Sequence, residues 1–301
     1  MNWQKTMVPN INKAQSQRGT IFIEEAKVES LLAYPNHQFI MRLHSPKCAR
    51  KALPGSFVHI QCDKEILMRR PLSIMRVNAN KGWIEILFKI VGNGLNALSE
   101  KKNGDLVSSI GPIGNGFIPN KDKSKPILIG GGVGIPPIVF LAETLKQKND
   151  FEPLVIMGSE IPFPFDLIKR NIEIPWLENN IDSSMPLMEE WRLPCVLCSL
   201  NKINGTFNGY VTQAADHYLN SLNQNELNKV EIFACGPMPM LEAVSKIARK
   251  YTVPCQISIE EYMACAIGGC AGCTIPIKTR DGIAMKRVCV DGPVFNANDV
   301  F

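Results

Sequence analysis

The sequence lacks several features that would place a protein in a familiar class. Its 301 residues include no apolar run as long as the roughly 18–20 residues that a transmembrane helix needs. Residues 1–19 are polar and have no apolar centre of the kind found in signal peptides. Internal repeats and low-complexity tracts are also missing. We therefore expect no membrane insertion and a cytoplasmic protein.

An excess of charge of one sign is missing as well. The chain has 33 Lys and Arg residues against 28 Asp and Glu residues, a net charge of +5, and the two signs are interleaved. Dispersed charge of this kind indicates a solvated surface rather than a nucleic-acid-binding face. A basic face for an acidic protein partner remains open.

Histidine is scarce, and the usual hydrolytic motifs do not occur. The four histidines, His37, His44, His59 and His217, are scattered along the chain. No Ser-His-Asp arrangement and no H-E-x-x-H motif accompanies them. We therefore expect no hydrolase.

Cysteine, in contrast, is plentiful, and four of the ten cysteines are clustered near the end of the chain. Cys265, Cys270, Cys273 and Cys289 have the spacing C-x4-C-x2-C…C, which is typical of plant-type [2Fe–2S] clusters. Three glycines lie among the first three cysteines, and they let the backbone wrap closely and aim N–H groups at cluster sulfurs. The pattern predicts that these four thiolates bind a [2Fe–2S] cluster.

Other interpretations of the cysteines fit less well. Structural zinc sites usually have paired, closely spaced cysteines, so a remote fourth ligand is a poor match. A Rieske centre needs two histidines, and none follows His217. A second C-x2-C, formed by Cys195 and Cys198, lies in a predicted strand, where residues three apart point to opposite faces. We interpret this pair as two buried thiols.

Two regions of different pattern precede the clustered cysteines. Short β-like runs broken by Gly, Pro and Asn extend to about residue 117 and predict an antiparallel barrel. Apolar strands then alternate with helical stretches, which predicts a parallel sheet. The predicted fold class is therefore α/β plus all-β. The predicted domains are a flexible leader at 1–19, a barrel at 20–120, an α/β domain at 121–250 and a small cluster-binding subdomain at 251–301.

Two glycine loops of the α/β region predict a nicotinamide site. The first runs from a strand into a helix, and the second follows a later strand. Glycines let a backbone approach phosphate at a helix N-terminus, and loops after neighbouring parallel strands meet at one sheet edge. Glu160, after another strand, could accept a hydrogen bond from a ribose and favour NAD over NADP, although an ordinary exposed acid is an equal alternative. The predicted NAD(H)-binding residues are Gly130, Gly131, Gly132, Gly134, Cys235, Gly236 and Pro237.

A short motif in the barrel region has the groups that a flavin site needs. Arg70 offers a planar fork for a pyrophosphate, and the hydroxyl of Ser73 can both donate and accept a hydrogen bond. Alone, an Arg-Pro-X-Ser tetrapeptide is usually only a turn. Its position before the glycine loop, and the Gly92-Asn-Gly94 turn one strand later, make it informative.

Taken in this order, the motifs resemble those of the ferredoxin-reductase superfamily. More closely, the chain resembles the electron-transfer subunits of heteromeric, NAD-linked dihydroorotate dehydrogenases over about residues 20–301. The most specific segments are Glu260-Glu-Tyr-Met-Ala-Cys265-Ala-Ile-Gly-Gly-Cys-Ala-Gly-Cys273 and Val288-Cys-Val-Asp-Gly-Pro-Val-Phe295.

The resemblance implies a set of FAD-binding residues. Arg70 would bind the pyrophosphate. Ser73 would lie against the flavin, and Cys235 would lie near the flavin and the nicotinamide. No catalytic residue beyond the cofactors is expected. The same resemblance assigns the four cluster ligands to the four clustered cysteines. The implied FAD-binding set is Arg70, Pro71, Leu72, Ser73, Leu87, Phe88, Lys89, Gly94 and Leu95.

Two features depart from the family pattern. Leu95 stands where the family commonly has Thr, so one expected phosphate hydrogen bond is in doubt. The stretch from Pro162 to Pro194 is longer than expected, and the sequence suggests no function for it.

The implied function is electron relay. An FMN-containing catalytic subunit, expected in a heterotetramer with this chain, would oxidise dihydroorotate, and electrons would pass through the [2Fe–2S] cluster and FAD to NAD+. The same module in a hydrogenase or transhydrogenase complex is an alternative. A non-enzymatic iron–sulfur or zinc regulator built on a decayed reductase is a second one.

Overall fold

The computed structural model describes residues 19–301. The predicted flexible leader, residues 1–19, lies outside the described residues except for Gly19. No helix within the described range is long and apolar enough to cross a membrane.

Six antiparallel strands form a closed barrel at the start of the described chain, in the spatial order β1-β2-β5-β4-β3-β6. Short helices α1 (Pro46–Lys51) and α2 (Asn93–Ser99) follow β2 and β5. Every second residue of a strand faces the barrel interior, so that Ile84, Ile86 and Phe88 of β5 pack in one core with Met41 and Leu43 of β2. The strands are β1 (Phe22–Tyr34), β2 (Gln38–His44), β3 (Phe57–Gln61), β4 (Arg70–Asn78), β5 (Trp83–Lys89) and β6 (Leu106–Ile113).

A seven-stranded sheet follows, in the order β12-β11-β8-β7-β13-β14-β17. All neighbouring strands are parallel except the pair of β14 and β17. The strands are β7 (Lys125–Gly131), β8 (Leu154–Gly158), β11 (Cys195–Ser199), β12 (Phe207–Asn208), β13 (Val230–Cys235), β14 (Cys255–Ser258) and β17 (Val294–Asn296).

Helices cover both faces of this sheet, so its central strands are apolar on both sides. In β7, Ile127 and Ile129 face one core and Leu128 faces the other. Cys195 and Cys198 are buried in opposite cores, which confirms the prediction of two buried thiols on opposite faces. The helices are α3 (Ile135–Leu145), α4 (Pro186–Glu190), α5 (Val211–Ser221), α6 (Gln224–Leu227), α7 (Met238–Tyr251) and α8 (Ala297–Val300).

The unexpectedly long stretch at 162–194 is folded against the parallel-sheet domain. It contains a two-stranded ladder, β9 (Ile168–Lys169) with β10 (Ser183–Ser184), and the helix α4. Phe163, Met188 and Trp191 are buried in the same core as α3. This stretch therefore contributes apolar packing to one face of the sheet.

The C-terminal segment is divided between a cysteine-bearing part and the large sheet. A hairpin of β15 (Thr274–Thr279) and β16 (Gly282–Arg287) follows the first three clustered cysteines. The strands β14 and β17, which flank this part in sequence, lie at the edge of the large sheet. The predicted fold class is confirmed, and the boundary predicted at 250/251 falls within a region that shares one sheet.

Candidate cofactor-binding cleft and cysteine loop

A cleft of about 1720 Å³ lies between the barrel and the carboxyl edge of the parallel sheet. One wall comes from β4 and β5, and another from the loops that follow β7, β8, β11 and β13. The segment 258–264, which leads from β14 to the clustered cysteines, also lines the cleft. Ligand sites of open α/β sheets lie at this edge of the strands.

Most of the predicted flavin residues line the cleft together. Gly94 does not line the cleft, but Arg70 does and lies directly beside it. A Cβ at Gly94 would be only 3.1 Å from Nε of Arg70. Glycine therefore lets the guanidinium rest against the start of α2. The predicted flavin residues that line the cleft are Arg70, Pro71, Leu72, Ser73, Leu87, Phe88, Lys89 and Leu95.

The two adjacent arginines of the motif have different surroundings. Arg69 donates hydrogen bonds from Nη1 to the carbonyl oxygens of His59 (3.2 Å) and Ser108 (2.7 Å), so it ties β3 to β6. Arg70, which lines the cleft as Arg69 does, donates from Nη1 to the carbonyl oxygens of Met68 (2.7 Å) and Arg69 (3.3 Å), while its Nε and Nη2 lie beside Gly94. Arg70 is thus the arginine with donors available to an anionic group.

The two glycine loops meet at the sheet edge, as predicted. A Cβ at Gly134 would collide with the carbonyl oxygen of Cys235, and one at Gly131 would lie 2.5 Å from Sδ of Met240. Close approach of the loops therefore requires glycine at Gly134, where the contact is backbone, whereas at Gly131 the flexible side chain of Met240 could move aside. Gly131, Gly132 and Pro237 line the cleft, whereas Gly130, Gly134, Cys235 and Gly236 lie behind its surface.

Cys235 is fully buried at the end of β13. Burial raises the pKa of its thiol well above the ordinary value, and the charge of Glu260 raises it further, while a hydrogen bond with Ser258 acts in the opposite direction. Glu260 itself lines the cleft. Although part of its side chain is open to the cleft, desolvation by the surrounding protein raises the pKa of its carboxyl.

Glu160 lies on the cleft wall, and its carbonyl accepts a hydrogen bond from Nδ2 of Asn201 at 2.6 Å. The sequence did not predict the wall segment 209–212, because no motif marks the entry to α5. Segment 258–264 has no motif of its own, and only its part from Glu260 onward belongs to the resemblance. It includes Tyr262, whose side chain is 94% exposed.

The four clustered cysteines form two close pairs. The Sγ atoms of Cys273 and Cys289 are 3.4 Å apart, and both residues are buried. On the more exposed side, the backbone N–H of Cys270 points at Sγ of Cys265 (3.4 Å), and that of Gly272 points at Sγ of Cys270 (3.4 Å). Within residues 19–301, no three or more His, Cys, Asp or Glu side chains converge around one metal position. Paired soft thiolates fit a two-iron group, in which each iron takes two, better than a single ion.

The backbone around the first cysteine favours its thiolate form. Burial alone would raise the pKa of Cys265, but N–H groups of Cys270 and Ile267 lower it to about 7. In contrast, the pKa of Cys289 is raised to about 12, mainly by burial and to a smaller extent by the neighbouring Cys273. A thiolate is the form that binds metal.

Comparison with known proteins places these features in a family. Residues 260–301 match the family model described as the iron-sulfur cluster binding domain of dihydroorotate dehydrogenase B. The dihydroorotate dehydrogenase B (NAD(+)) electron transfer subunit of Desulforamulus reducens is 31% identical over 274 residues, which cover 90% of this chain and 95% of that protein. The protein of the same name from Caldanaerobacter subterraneus is 32% identical over 83% of this chain and 88% of its own length.

Solved structures agree in fold. An NADH-dependent reduced ferredoxin-NADP oxidoreductase superposes with a TM-score of 0.72 at 24% identity, over 92% of this chain and 90% of that chain. The ferredoxin reductase of carbazole 1,9a-dioxygenase has a TM-score of 0.58 at 22% identity, over 78% of this chain and 67% of its own. With the curated relatives, these likenesses confirm the resemblance noted in the sequence. The chain belongs to the family of the electron transfer subunit of dihydroorotate dehydrogenase B (NAD(+)).

Proposed function

We propose that this chain is the electron-transfer subunit of an NAD-linked dihydroorotate dehydrogenase, with FAD, one [2Fe–2S] cluster and NAD(H) as its redox groups. The observation that carries the proposal is the single cleft that joins the flavin motif, the two glycine loops and the segment leading to the clustered cysteines. When bound, these groups supply hydride exchange with the nicotinamide and single-electron exchange with the cluster. The protein residues bind and orient them.

Arg70 and the turn at Gly94 would hold the FAD. The Arg70 fork, kept at the cleft surface by the missing side chain at Gly94, suits a pyrophosphate. Pro71, Leu72 and Ser73 would lie along the flavin with Leu87, Phe88, Lys89 and Leu95. Leu95 provides only apolar contact, so the phosphate hydrogen bond that a hydroxyl could make at this position is lost.

The glycine loops would hold the nicotinamide nucleotide. Gly131, Gly132 and Pro237 present backbone to the cleft, while Gly130, Gly134, Cys235 and Gly236 let the two loops pack closely behind it. Backbone N–H groups of the first glycine loop would face a phosphate, because Pro136 and Pro137 leave the first turn of α3 with few N–H groups of its own. Glu160 would accept hydrogen bonds from a ribose hydroxyl, which would disfavour a ribose phosphate.

Cys265, Cys270, Cys273 and Cys289 would bind the cluster. Their pairwise arrangement and the N–H groups directed at two of the sulfurs suit anionic thiolates. The family name, electron transfer subunit, implies a catalytic partner subunit. We propose that this partner contains FMN, oxidises dihydroorotate to orotate for pyrimidine biosynthesis, forms a heterotetramer with this chain, and works in the cytoplasm.

The test is the visible spectrum of the chain purified anaerobically, recorded before and after addition of NADH. Flavin bands and broad iron–sulfur absorption, both bleached by NADH, are expected. Co-purification with an FMN protein that reduces NAD+ with dihydroorotate would then establish the substrate. A colourless protein, or a yellow one that does not respond to NADH, would contradict the proposal.

A further inference from the structure

The segment around Cys289 contacts the barrel at one turn. Asn115 lies just after β6, and its side-chain Nδ2 donates hydrogen bonds to the carbonyl oxygens of Val290 (3.0 Å) and Asp291 (3.1 Å). Its backbone N–H donates to the carbonyl of Gly292 at 2.6 Å. All three acceptors lie within three residues of the fourth clustered cysteine. One side chain of the barrel region therefore holds the loop that carries this cysteine.

The turn is shaped for this contact. Gly114 has φ +91, in the left-handed region, and a Cβ on it would collide with Cδ of Pro293. Asn115 also pairs with Pro293 as an isolated β-bridge. Backbone and side chain thus place the loop against the end of β6, and any side chain at Gly114 would displace it.

The same loop is linked to the first cysteines through Arg287. Its backbone N–H donates to Oδ2 of Asp291 at 2.9 Å, and its Nη1 donates to the carbonyl of Gly268 at 3.0 Å. Gly268 lies between Cys265 and Cys270 in sequence. Contacts therefore run from Asn115 through Asp291 and Arg287 to the loop between Cys265 and Cys270.

Asn115 is also linked to the flavin motif, through the strand β6 that precedes it in the chain. The strand β6 pairs with β3 at Ile113 and Phe57, and Phe57 pairs in turn with Ser73 of β4. These are neighbouring strands of a closed barrel, which resists displacement of one strand against the next. The path from Ser73 to the cysteine loop is therefore short and made of hydrogen-bonded backbone.

We propose that Asn115 is a positioning residue, which holds the cysteine loop at a fixed distance and orientation from the flavin motif. The inference rests on the proposed function, because the distance matters only if electrons pass between the flavin and the cluster. Electron transfer slows steeply with distance, and a site must be held closely by its supporting residues to work. The two side-chain hydrogen bonds provide that support across the boundary between barrel and cysteine loop.

The experiment compares Asn115→Asp with wild type in the cofactor-loaded chain. Asp keeps the size of Asn but removes the N–H donors and places a carboxylate against two carbonyl oxygens. Asn223→Asp is the matched control, since it adds the same charge at the start of α6, where a carboxylate can still accept the capping hydrogen bond from Glu226.

Stopped-flow absorption after mixing with NADH separates the two steps. In Asn115→Asp we expect flavin reduction at the wild-type rate, and subsequent cluster reduction slowed by roughly tenfold or more. The electron paramagnetic resonance signal of the reduced cluster should shift or broaden, and Asn115→Gln, which retains the donors, should restore part of the rate. Wild-type cluster reduction in Asn115→Asp, even with a lowered melting temperature, would overturn the proposal.

A second measurement applies if Asn115→Asp does not retain the cluster. Hydrogen exchange of the flavin-loaded, cluster-free chain should be faster over residues 287–292 in Asn115→Asp than in Asn223→Asp, with the barrel strands unchanged. Equal exchange in the two variants would also overturn it. If wild type itself shows no NADH-driven cluster reduction, the proposed function fails instead, so the two failures are distinguishable.

Discussion

Arg69 and Arg70 are adjacent in the chain, yet their guanidinium groups face different surroundings. Arg69 is held by carbonyls of β3 and β6, and Arg70 reaches the cleft. Both arginines line the cleft, but Nη1 and Nη2 of Arg69 are hydrogen-bonded to β3 and β6, whereas Nε and Nη2 of Arg70 lie beside Gly94 at the start of α2. We therefore expect Arg70 to bind the ligand and Arg69 to stabilise the barrel.

Substitution of Arg70 by Ala should therefore weaken FAD binding without unfolding the barrel. Loss of charge-assisted hydrogen bonds, each of about 1.5–3 kcal/mol, predicts an FAD dissociation constant raised by roughly tenfold to a hundredfold. Flavin fluorescence on titration measures it. Arg69→Ala is the paired variant and should instead lower the melting temperature. Equal FAD affinities for Arg70→Ala and wild type would contradict the assignment.

His59 predicts a pH dependence of stability. Its ring is fully buried, and within residues 19–301 neither ring nitrogen has a hydrogen-bond partner of good geometry, although backbone groups of Arg69 and Met263 lie near enough to favour protonation. Burial, followed by the charge of Arg69, lowers the pKa of His59 to about 4. The unfolded chain, with an ordinary pKa of about 6.5, then binds the proton first as the pH falls.

Stability should thus be lost as the pH falls from about 6.5 towards 4. Because of His59, the free energy of unfolding should be about 2 kcal/mol lower at pH 5 than at pH 7.5. Urea denaturation of wild type and His59→Leu at both pH values measures it. The variant should lose about 2 kcal/mol less than wild type over this interval. Parallel losses would show that His59 is not responsible.

At the scale of elements, the two glycine loops are a single packed unit. The first loop leads into α3 and the second into α7, and Gly134 lies against the backbone of Cys235. Neither loop can move away from the sheet edge without disturbing the other. Their shape depends on this contact as well as on the flexibility of glycine.

Gly134→Ala should therefore disturb the proposed nicotinamide site, although Gly134 itself does not line the cleft. The added methyl would push the two loops apart, so we expect the KM for NADH in dye reduction to rise by roughly tenfold, with FAD content unchanged. Gly104→Asn is a suitable control, because Gly104 has open space around it and does not line the cleft, so the strain of a side chain at its φ of +97 should lower stability and leave the KM unchanged. An unchanged KM in Gly134→Ala would contradict the packing argument.

At the scale of the whole molecule, the C-terminal segment forms part of the large sheet. The strand β14 pairs with β13 along four residues, and β17 completes the sheet edge, while the cysteine loops lie between them in sequence. The stability of the parallel sheet therefore depends on residues beyond 250.

Two variants separate cluster binding from this structural contribution. Cys270→Ser should lose the iron–sulfur absorption but keep bound FAD and NADH-driven flavin reduction, because the strands remain. Deletion of residues 251–301 exposes the edge of β13, so the parallel sheet should unfold at lower temperature or fail to fold. Calorimetry and the visible spectrum measure both effects. A truncated chain as stable as Cys270→Ser would contradict the shared sheet.

Local patterns were sufficient for much of this protein. The cysteine spacing, the strand–glycine–helix turns and the change from short strands to alternating strands and helices are properties of neighbouring residues, and they predicted the fold class. Tertiary structure decided what depends on contacts between distant residues: that Gly134 lies against Cys235, that Asn115 holds the loop of Cys289, and that β14 and β17 join the large sheet. Contacts between residues that are distant in sequence leave no periodic signal in a single sequence, so only the folded chain reveals them.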